Sequence, residues 1–232
     1  MVNRLLGFPL LNSNTTCDTI SLWKTPLDFS EMIPQLKKIL NDNHSVLPFL
    51  DRLEEIFRLM DSHYKAMTQQ YGFLCMGCDE NCCLTLFYHH TLLECLYLHV
   101  GYRKLENIEK SALQQSAVHF DHHQQVTGDR PGQSFRRMCP LNINNKCTLY
   151  EYRPMICRLH GIPYELHAPD NTIIRGSGCK AFEQQCHPQS YIAFDRTPLY
   201  AAMAKLESDI KQVVVFNEKI KLTIAQIVLL FD

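Results

Sequence analysis

The sequence predicts a mainly α fold, with helices packed around a turn-rich cysteine metal-binding module that carries a small β hairpin. Two observations support this prediction. On both sides of the cysteines, apolar residues recur at the three- and four-residue spacing of a buried helix face. Between them, residues 139–180 are crowded with proline and glycine, which favour compact turns and short strands over long helices. The 232 residues are 46% hydrophobic and 20% charged, an ordinary globular composition.

The clearest helix is predicted over residues 46–70, where apolar side chains keep the rhythm of one buried face. Ser45 is suited to cap its first turn, and Gly72 ends it. Further helices are predicted over residues 28–42, 84–102, 105–125 and from 198 onward. Thr223 and Gln226 resemble a capping box, and the alternation in 162–166 and 172–174 predicts the hairpin.

We expect one domain over residues 1–232, since no internal repeat or low-complexity linker divides the chain. Within it, a helical N-terminal region is predicted at 28–74 and a cysteine-cluster module at 75–188. A second helical region is predicted at 189–232.

Composition and patterning exclude several classes of partner. The net charge is −1, and no basic tract indicates a nucleic-acid surface. No stretch approaches 18 uninterrupted apolar residues, so no membrane span is expected. The N-terminus is a poor signal peptide, which predicts a cytoplasmic protein whose 11 cysteines remain reduced. A secreted disulfide scaffold is the alternative, but such scaffolds are usually shorter and an odd thiol would be left over.

The cysteines form two clusters, followed by Cys179 and Cys186. The spacing C-x-x-C lets two thiolates from one tight turn reach one ion at ~2.3 Å, and Gly77 relaxes that turn. Two segments that meet in this way predict a metal site closed from distant parts of the chain. The cysteines of the two clusters are Cys75, Cys78, Cys82, Cys83, Cys139, Cys147 and Cys157.

The adjacent pair Cys82 and Cys83 favours more than one metal ion. Neighbouring side chains diverge, so both thiolates do not easily share one tetrahedral ion. Two metal ions, a polynuclear cluster, or one ligand beside a redox-active thiol all suit the pair. Cys139 precedes Pro140, as a cysteine does in ferredoxin runs, which adds a mild indication of iron–sulfur.

Positive charge accompanies the second cluster. Thiolate-held metal centres carry negative charge, and arginine can donate to sulfur or to outer carboxylates. Arg153 and Arg158 are therefore predicted to contact the metal cofactor. Solvated surface arginines are the alternative.

These residues carry a family resemblance. The pattern C-x-x-C-x-x-x-C-C, then C-P-L, then C-x-x-Y-x-x-R-P-x-x-C-R resembles the YkgJ family of cysteine-cluster proteins over about residues 75–180. That family is described as carrying a zinc- or iron-chelating domain with eight cysteines. The resemblance implies as ligands the seven clustered cysteines and, as the eighth, Cys179, for which Cys186 is the alternative.

Other candidate ligands have simpler interpretations. Cys95 lies in an apolar helical stretch and is predicted to be core, and Cys17 is predicted to be incidental. The histidine-rich stretches, including His89 and His119, are predicted to be solvated or incidental. His160, three residues after Cys157, is the one histidine that we consider as a metal ligand.

Three functional classes follow. The leading one is a protein that binds an iron–sulfur cluster or iron, with zinc as the alternative, in a redox, sensing or metal-handling role and with a protein partner. The second is a cluster-dependent protein-modifying enzyme resembling flagellin lysine methylases, although no nucleotide or phosphate-binding glycine loop is present. The third is a structural interaction module stabilised by zinc. The sequence leaves open whether the protein is an enzyme.

Overall fold

The structure is a computed structural model that describes residues 29–75, 82–127, 136–186 and 190–231. Eight helices and four short strands form in these residues, which confirms the mainly α prediction with a small hairpin. The helices are α1 Phe29–Leu40, α2 Asn43–Tyr71, α3 Leu92–Arg103, α4 Asn107–Thr127, α5 Met155–Leu159, α6 Lys180–Cys186, α7 Thr197–Val213 and α8 Ile224–Val228. The strands are β1 Asn142–Ile143, β2 Lys146–Cys147, β3 Tyr164–His167 and β4 Ile173–Gly176.

Helix α2 is the longest element and forms the centre of the core. It begins three residues before the predicted start, because the side chain of Asp42, and not that of Ser45, accepts the first free backbone N–H groups. It ends at Gly72, whose φ of 65° is a left-handed conformation that glycine adopts without strain. The predicted apolar face is buried, with Leu53 and Phe57 at 0% and 2% exposure.

The remaining helices cover this face. Helix α2 packs against α7, α5 and α3, while α4 packs against α8 near the C-terminal end. Helices α1 and α2 fall in the region predicted as N-terminal, and α7 and α8 in the region predicted as C-terminal. The division of the chain into these regions stays a prediction.

Helix α3 is shorter than predicted. The sequence indicated a helix over 84–102, but α3 begins only at Leu92, where the Thr91 side chain accepts the N–H of Glu94. The preceding residues form a 3₁₀ turn, Cys82–Leu84, and then an extended segment. That segment makes isolated bridges from Thr85 to Arg136 and from His89 to Leu222, and these long-range partners cannot be read from local periodicity.

Two antiparallel hairpins lie between α4 and α6. The predicted one is confirmed as β3 and β4, which pair with Leu166 opposite Ile174. The other, β1 and β2, was not predicted. Asn144 and Asn145 occupy its turn with φ of 53° and 63°, the pair of positive values that a two-residue hairpin loop requires.

The C-terminal segment closes the fold through the predicted capping box. Thr223 accepts the N–H of Gln226, and the Gln226 side chain accepts the N–H of Thr223. Within the described ranges, no helix combines the length and hydrophobicity that crossing a bilayer requires.

Candidate functional site

Five of the predicted ligand cysteines line one cavity of about 110 Å³. They come from three separate parts of the chain, namely the 3₁₀ turn, the β1–β2 hairpin region and α5. The cysteines are Cys82, Cys83, Cys139, Cys147 and Cys157. The rest of the lining is mostly apolar and consists of Thr85, Leu86, Phe87, His89, Phe120, Pro140, Leu141, Tyr150, Arg153, Pro154, Thr223 and Ile224.

Backbone hydrogen bonds hold the two cysteine segments together. The N–H of Cys139 donates to the carbonyl of Cys83 at 2.8 Å, which joins the first cluster directly to the second. Cys147 lies at the end of β2, opposite Asn142 in the hairpin. Cys157 is placed in the first turn of α5, where its N–H donates to the Pro154 carbonyl at 3.0 Å. These backbone contacts bring the cysteine-bearing segments to the same cavity.

Burial keeps three of these thiols protonated. It raises the pKa of Cys139 to about 12 and that of Cys147 to about 11. The pKa of Cys157 is raised too, first by burial and then by the thiols of Cys139 and Cys147. Since metals bind the thiolate, a metal ion entering the cavity must displace these protons.

Cys82 and Cys83 behave differently from the other three. Their side chains hydrogen-bond to each other, which lowers the pKa of Cys83 to about 6 with further help from the Asn142 side chain. The same bond, followed by burial, raises the pKa of Cys82. Cys83 is therefore the more readily ionised thiol of the pair, and Cys82 is the donor.

A second group of thiols lies beside Tyr64. Burial raises the pKa of that tyrosine, and the thiols of Cys75 and Cys179 add to the effect. The N–H of Cys179 donates to the carbonyl of Gly161 at 2.9 Å, and the φ of Gly161 is 113°. Cys75 and Cys179 do not line the cavity, so the structure separates them from the five cysteines that do.

Cys82 connects the two groups. Its electrostatic neighbours include both Cys157, in the cavity wall, and Cys75, beside Tyr64. Cys83 instead interacts with the other cavity thiols. Both adjacent residues line the cavity and interact with Cys157, and Cys82 also interacts with Cys75.

Of the remaining cysteines, the structure describes Cys95 and Cys186. Cys78, a predicted ligand, and Cys17 fall outside the described residues. Cys186 is buried and its Sγ donates to the Tyr71 carbonyl at 3.6 Å. Cys95 is 0% exposed in the apolar core, which confirms its prediction as a core residue.

The donor chemistry fits a thiophilic metal, because zinc and iron–sulfur clusters both prefer soft thiolates. The arrangement is not that of an assembled site, however. Among the residues that the structure describes, no group of three or more histidine, cysteine, aspartate or glutamate side chains is placed to hold one metal ion.

The two predicted arginines meet at one carboxylate of α2. Arg153 lies 2.8 Å from Asp61, lines the cavity, and offsets in part the effect of burial on the pKa of Cys147. Arg158 is 5% exposed and pairs with the other oxygen of Asp61. Its remaining donors bind the carbonyls of Glu151 and Arg153, and its guanidinium stacks 4.2 Å from the Phe57 ring centroid. The structure thus places Arg153 at the cavity and Arg158 behind it.

Two histidines lie in or near the cavity. His89, predicted to be solvated or incidental, is 2% exposed and therefore not solvated, and burial lowers its pKa to about 3. It lines the cavity. Its Nε2 atom has no hydrogen-bond partner. His160 is partly buried with its ring 5.5 Å from that of Phe87, and it does not line the cavity.

Two buried glutamates that the sequence analysis missed hold helix ends in place. Glu207 on α7 accepts the N–H groups of Leu92 and Leu93 at the start of α3, at 2.8 and 3.1 Å. Glu94 accepts the N–H of Met155 at 3.0 Å, and so ties α3 to the helix that carries Cys157. Their partners lie 61 to 115 residues away, and no local pattern indicates such a contact.

Comparisons of the chain with protein-family models, curated proteins and solved structures return no match. The resemblance to cysteine-cluster proteins therefore rests on the motif residues themselves.

Proposed function

We propose that this is a cytoplasmic metal-binding protein whose cysteines hold an iron–sulfur cluster or iron, with zinc as the alternative metal. The observation that carries the proposal is the convergence of five cysteines on one cavity. A single buried cysteine is commonly a small core residue. Five thiols from three segments in one wall are better explained by a shared ligand, and thiolates are the ligands that iron–sulfur clusters and zinc prefer.

The number of thiols favours a polynuclear centre. A tetrahedral ion takes four ligands, whereas five cysteines line the cavity. Cys75 and Cys179 interact electrostatically with Tyr64, as Cys82 does, and Cys75 also interacts with Cys82. Cys78 is added by the family resemblance. A cluster, or two metal ions, would use this set more fully than one ion.

Arg153 would balance the charge of the bound centre. It lies in the cavity wall next to Cys147, and Asp61 fixes its guanidinium from the far side. Arg158 would act through the same aspartate, by holding Arg153 and the segment before α5 in position. When bound, an iron–sulfur cluster would supply one-electron redox chemistry, which suits a role in electron transfer, sensing or metal handling with a protein partner.

Anaerobic purification followed by metal analysis and an absorption spectrum tests the proposal. We expect bound iron with visible absorption in the wild-type protein, and a loss of at least half of the metal in Cys157→Ser. Cys95→Ala is the matched control, because Cys95 is buried in the core away from the cavity, and it should retain the wild-type metal content.

The outcome also separates the alternatives. Stoichiometric zinc without colour would favour a structural role for the metal. Wild-type protein that neither contains metal nor takes up added iron or zinc would contradict the proposal.

A further inference from the structure

We propose that His89 supplies a nitrogen ligand to the metal centre of this cavity, so that the site has mixed cysteine and histidine ligands. The inference rests on the proposed function and adds a donor that the cysteine motif does not contain. It is drawn from the position of His89 in the wall and from the state of its side chain.

The backbone of His89 is held on both sides. Its N–H donates to the carbonyl of Leu222 at 2.7 Å, and its own carbonyl accepts the N–H of Leu222 at 3.0 Å. This bridge joins the wall segment that follows Cys83 to the segment that contributes Thr223 and Ile224 to the same cavity. The backbone of His89 is therefore fixed beside the segment that supplies the other side of the wall.

The imidazole of His89 is buried, but one of its nitrogen atoms has no hydrogen-bond partner. His89 is 2% exposed, and Nε2 has no hydrogen-bond partner. Buried polar groups in folded proteins are almost always paired, so each exception requires an explanation. The neighbouring His90 shows the ordinary case, because its Nδ1 lies 3.2 Å from the Ile220 carbonyl.

The other unpaired atoms give a useful contrast. Within the described part of the chain, the buried side-chain atoms without a partner are His89 Nε2, Gln124 Oε1 and Arg196 Nε. Gln124 and Arg196 each use another atom of the same side chain, which donates to Tyr88 and to Leu159 respectively. Neither residue lines the cavity. Of the three residues, His89 is the one that lines the cavity.

The chemistry of the wall identifies what that ligand is. An imidazole nitrogen binds zinc and iron directly, and it shares the wall with five thiols. The apolar side chains around it offer little hydrogen bonding to an organic ligand. A neutral nitrogen in place of a thiolate also lowers the negative charge of the centre, and in iron–sulfur sites it raises the reduction potential.

X-ray absorption at the edge of the bound metal tests the inference on the anaerobically purified full chain. We expect a nitrogen at ~2.0 Å beside sulfur at ~2.3 Å in the wild type. The nitrogen component should be lost in His89→Phe and retained in His160→Phe. His160 is the matched control because it is a partly buried histidine outside the cavity lining.

A sulfur-only environment in the metal-loaded wild type, or a nitrogen that persists in His89→Phe, would overturn the inference and leave the proposed function standing. A wild type that binds no metal would overturn both. The metal-free His89→Phe protein should unfold at a temperature no lower than the wild type, because it loses an unpaired polar atom. If it does not fold, His89→Leu takes its place in the comparison.

Discussion

The helical scaffold of α2, α3 and α7 differs from the wall of the thiol-lined cavity in how one buried polar group of each is paired. In the scaffold, the carboxylate of Glu207 pairs with the free N–H groups at the start of α3. In the wall, burial holds the thiols of Cys139, Cys147 and Cys157 protonated, and His89 Nε2 has no partner. The Glu207 carboxylate is paired within the protein, whereas His89 Nε2 in the wall has no hydrogen-bond partner.

This difference indicates which part of the molecule depends on the ligand. Metal-binding free energy becomes folding free energy where a site forms on binding. We therefore expect the segment 139–179 to depend on the metal and the scaffold to be stable without it.

The largest effect is expected in the scaffold. Phe57→Ala removes a ring that packs against Tyr97, with centroids 5.3 Å apart, and lies beneath the guanidinium of Arg158. We expect the free energy of unfolding to fall by about 3–5 kcal/mol, by a similar amount in metal-free and metal-loaded protein. Urea unfolding measures it, with Leu59→Ala as control because Leu59 is 49% exposed. If adding metal restored the wild-type free energy of unfolding to Phe57→Ala, the scaffold would not be stable independently of the metal.

A smaller loss of stability is expected at Asp61, the α2 residue that joins the scaffold to the cavity segment through Arg153 and Arg158. Asp61→Ala leaves the buried Arg158 and the cavity residue Arg153 without their shared carboxylate. We expect a loss of about 1–3 kcal/mol, less than for a fully buried pair because the Asp61 side chain is 38% exposed. Metal retention should fall as well, since Arg153 loses its anchor.

Urea unfolding and metal analysis of the same samples measure both effects of Asp61→Ala. Asp51→Ala, at an exposed position of the same helix, serves as the control. If both the stability and the metal content of Asp61→Ala were unchanged, Asp61 would contribute neither to folding nor to metal retention.

The sequence predicted the regions whose partners are local. Two predicted caps, Gly72 and the Thr223–Gln226 box, lie where the pattern placed them, whereas the cap predicted at Ser45 is supplied by Asp42. The start of α3 was missed, because the bridge from His89 to Leu222 spans most of the chain. The same reason explains which residues of the site could be predicted. Motif spacing indicated the cysteines, but the burial of His89 depends on distant segments.

The smallest effect concerns pH. Burial raises the pKa of Glu94 above its ordinary value of 4.5, so the folded state holds a proton that the unfolded state has released. The free energy of unfolding should therefore fall as the pH rises from 4.5 through the folded pKa, by at most about 1.4 kcal/mol per pH unit.

Glu94→Gln removes that proton exchange and should flatten this part of the profile. Thermal unfolding of the metal-free protein across the pH range measures it. The exposed Glu55→Gln should follow the wild type, and parallel profiles for all three proteins would argue against a protonated Glu94.

The most direct test of the division is amide hydrogen exchange of the metal-free and metal-loaded protein. The account predicts that metal binding slows exchange in 82–89 and 139–179 by tenfold or more, while the amides of α2, α3 and α7 change little because their protection is already complete. Equal slowing across the whole chain, or no change in the cavity segments on metal binding, would contradict it.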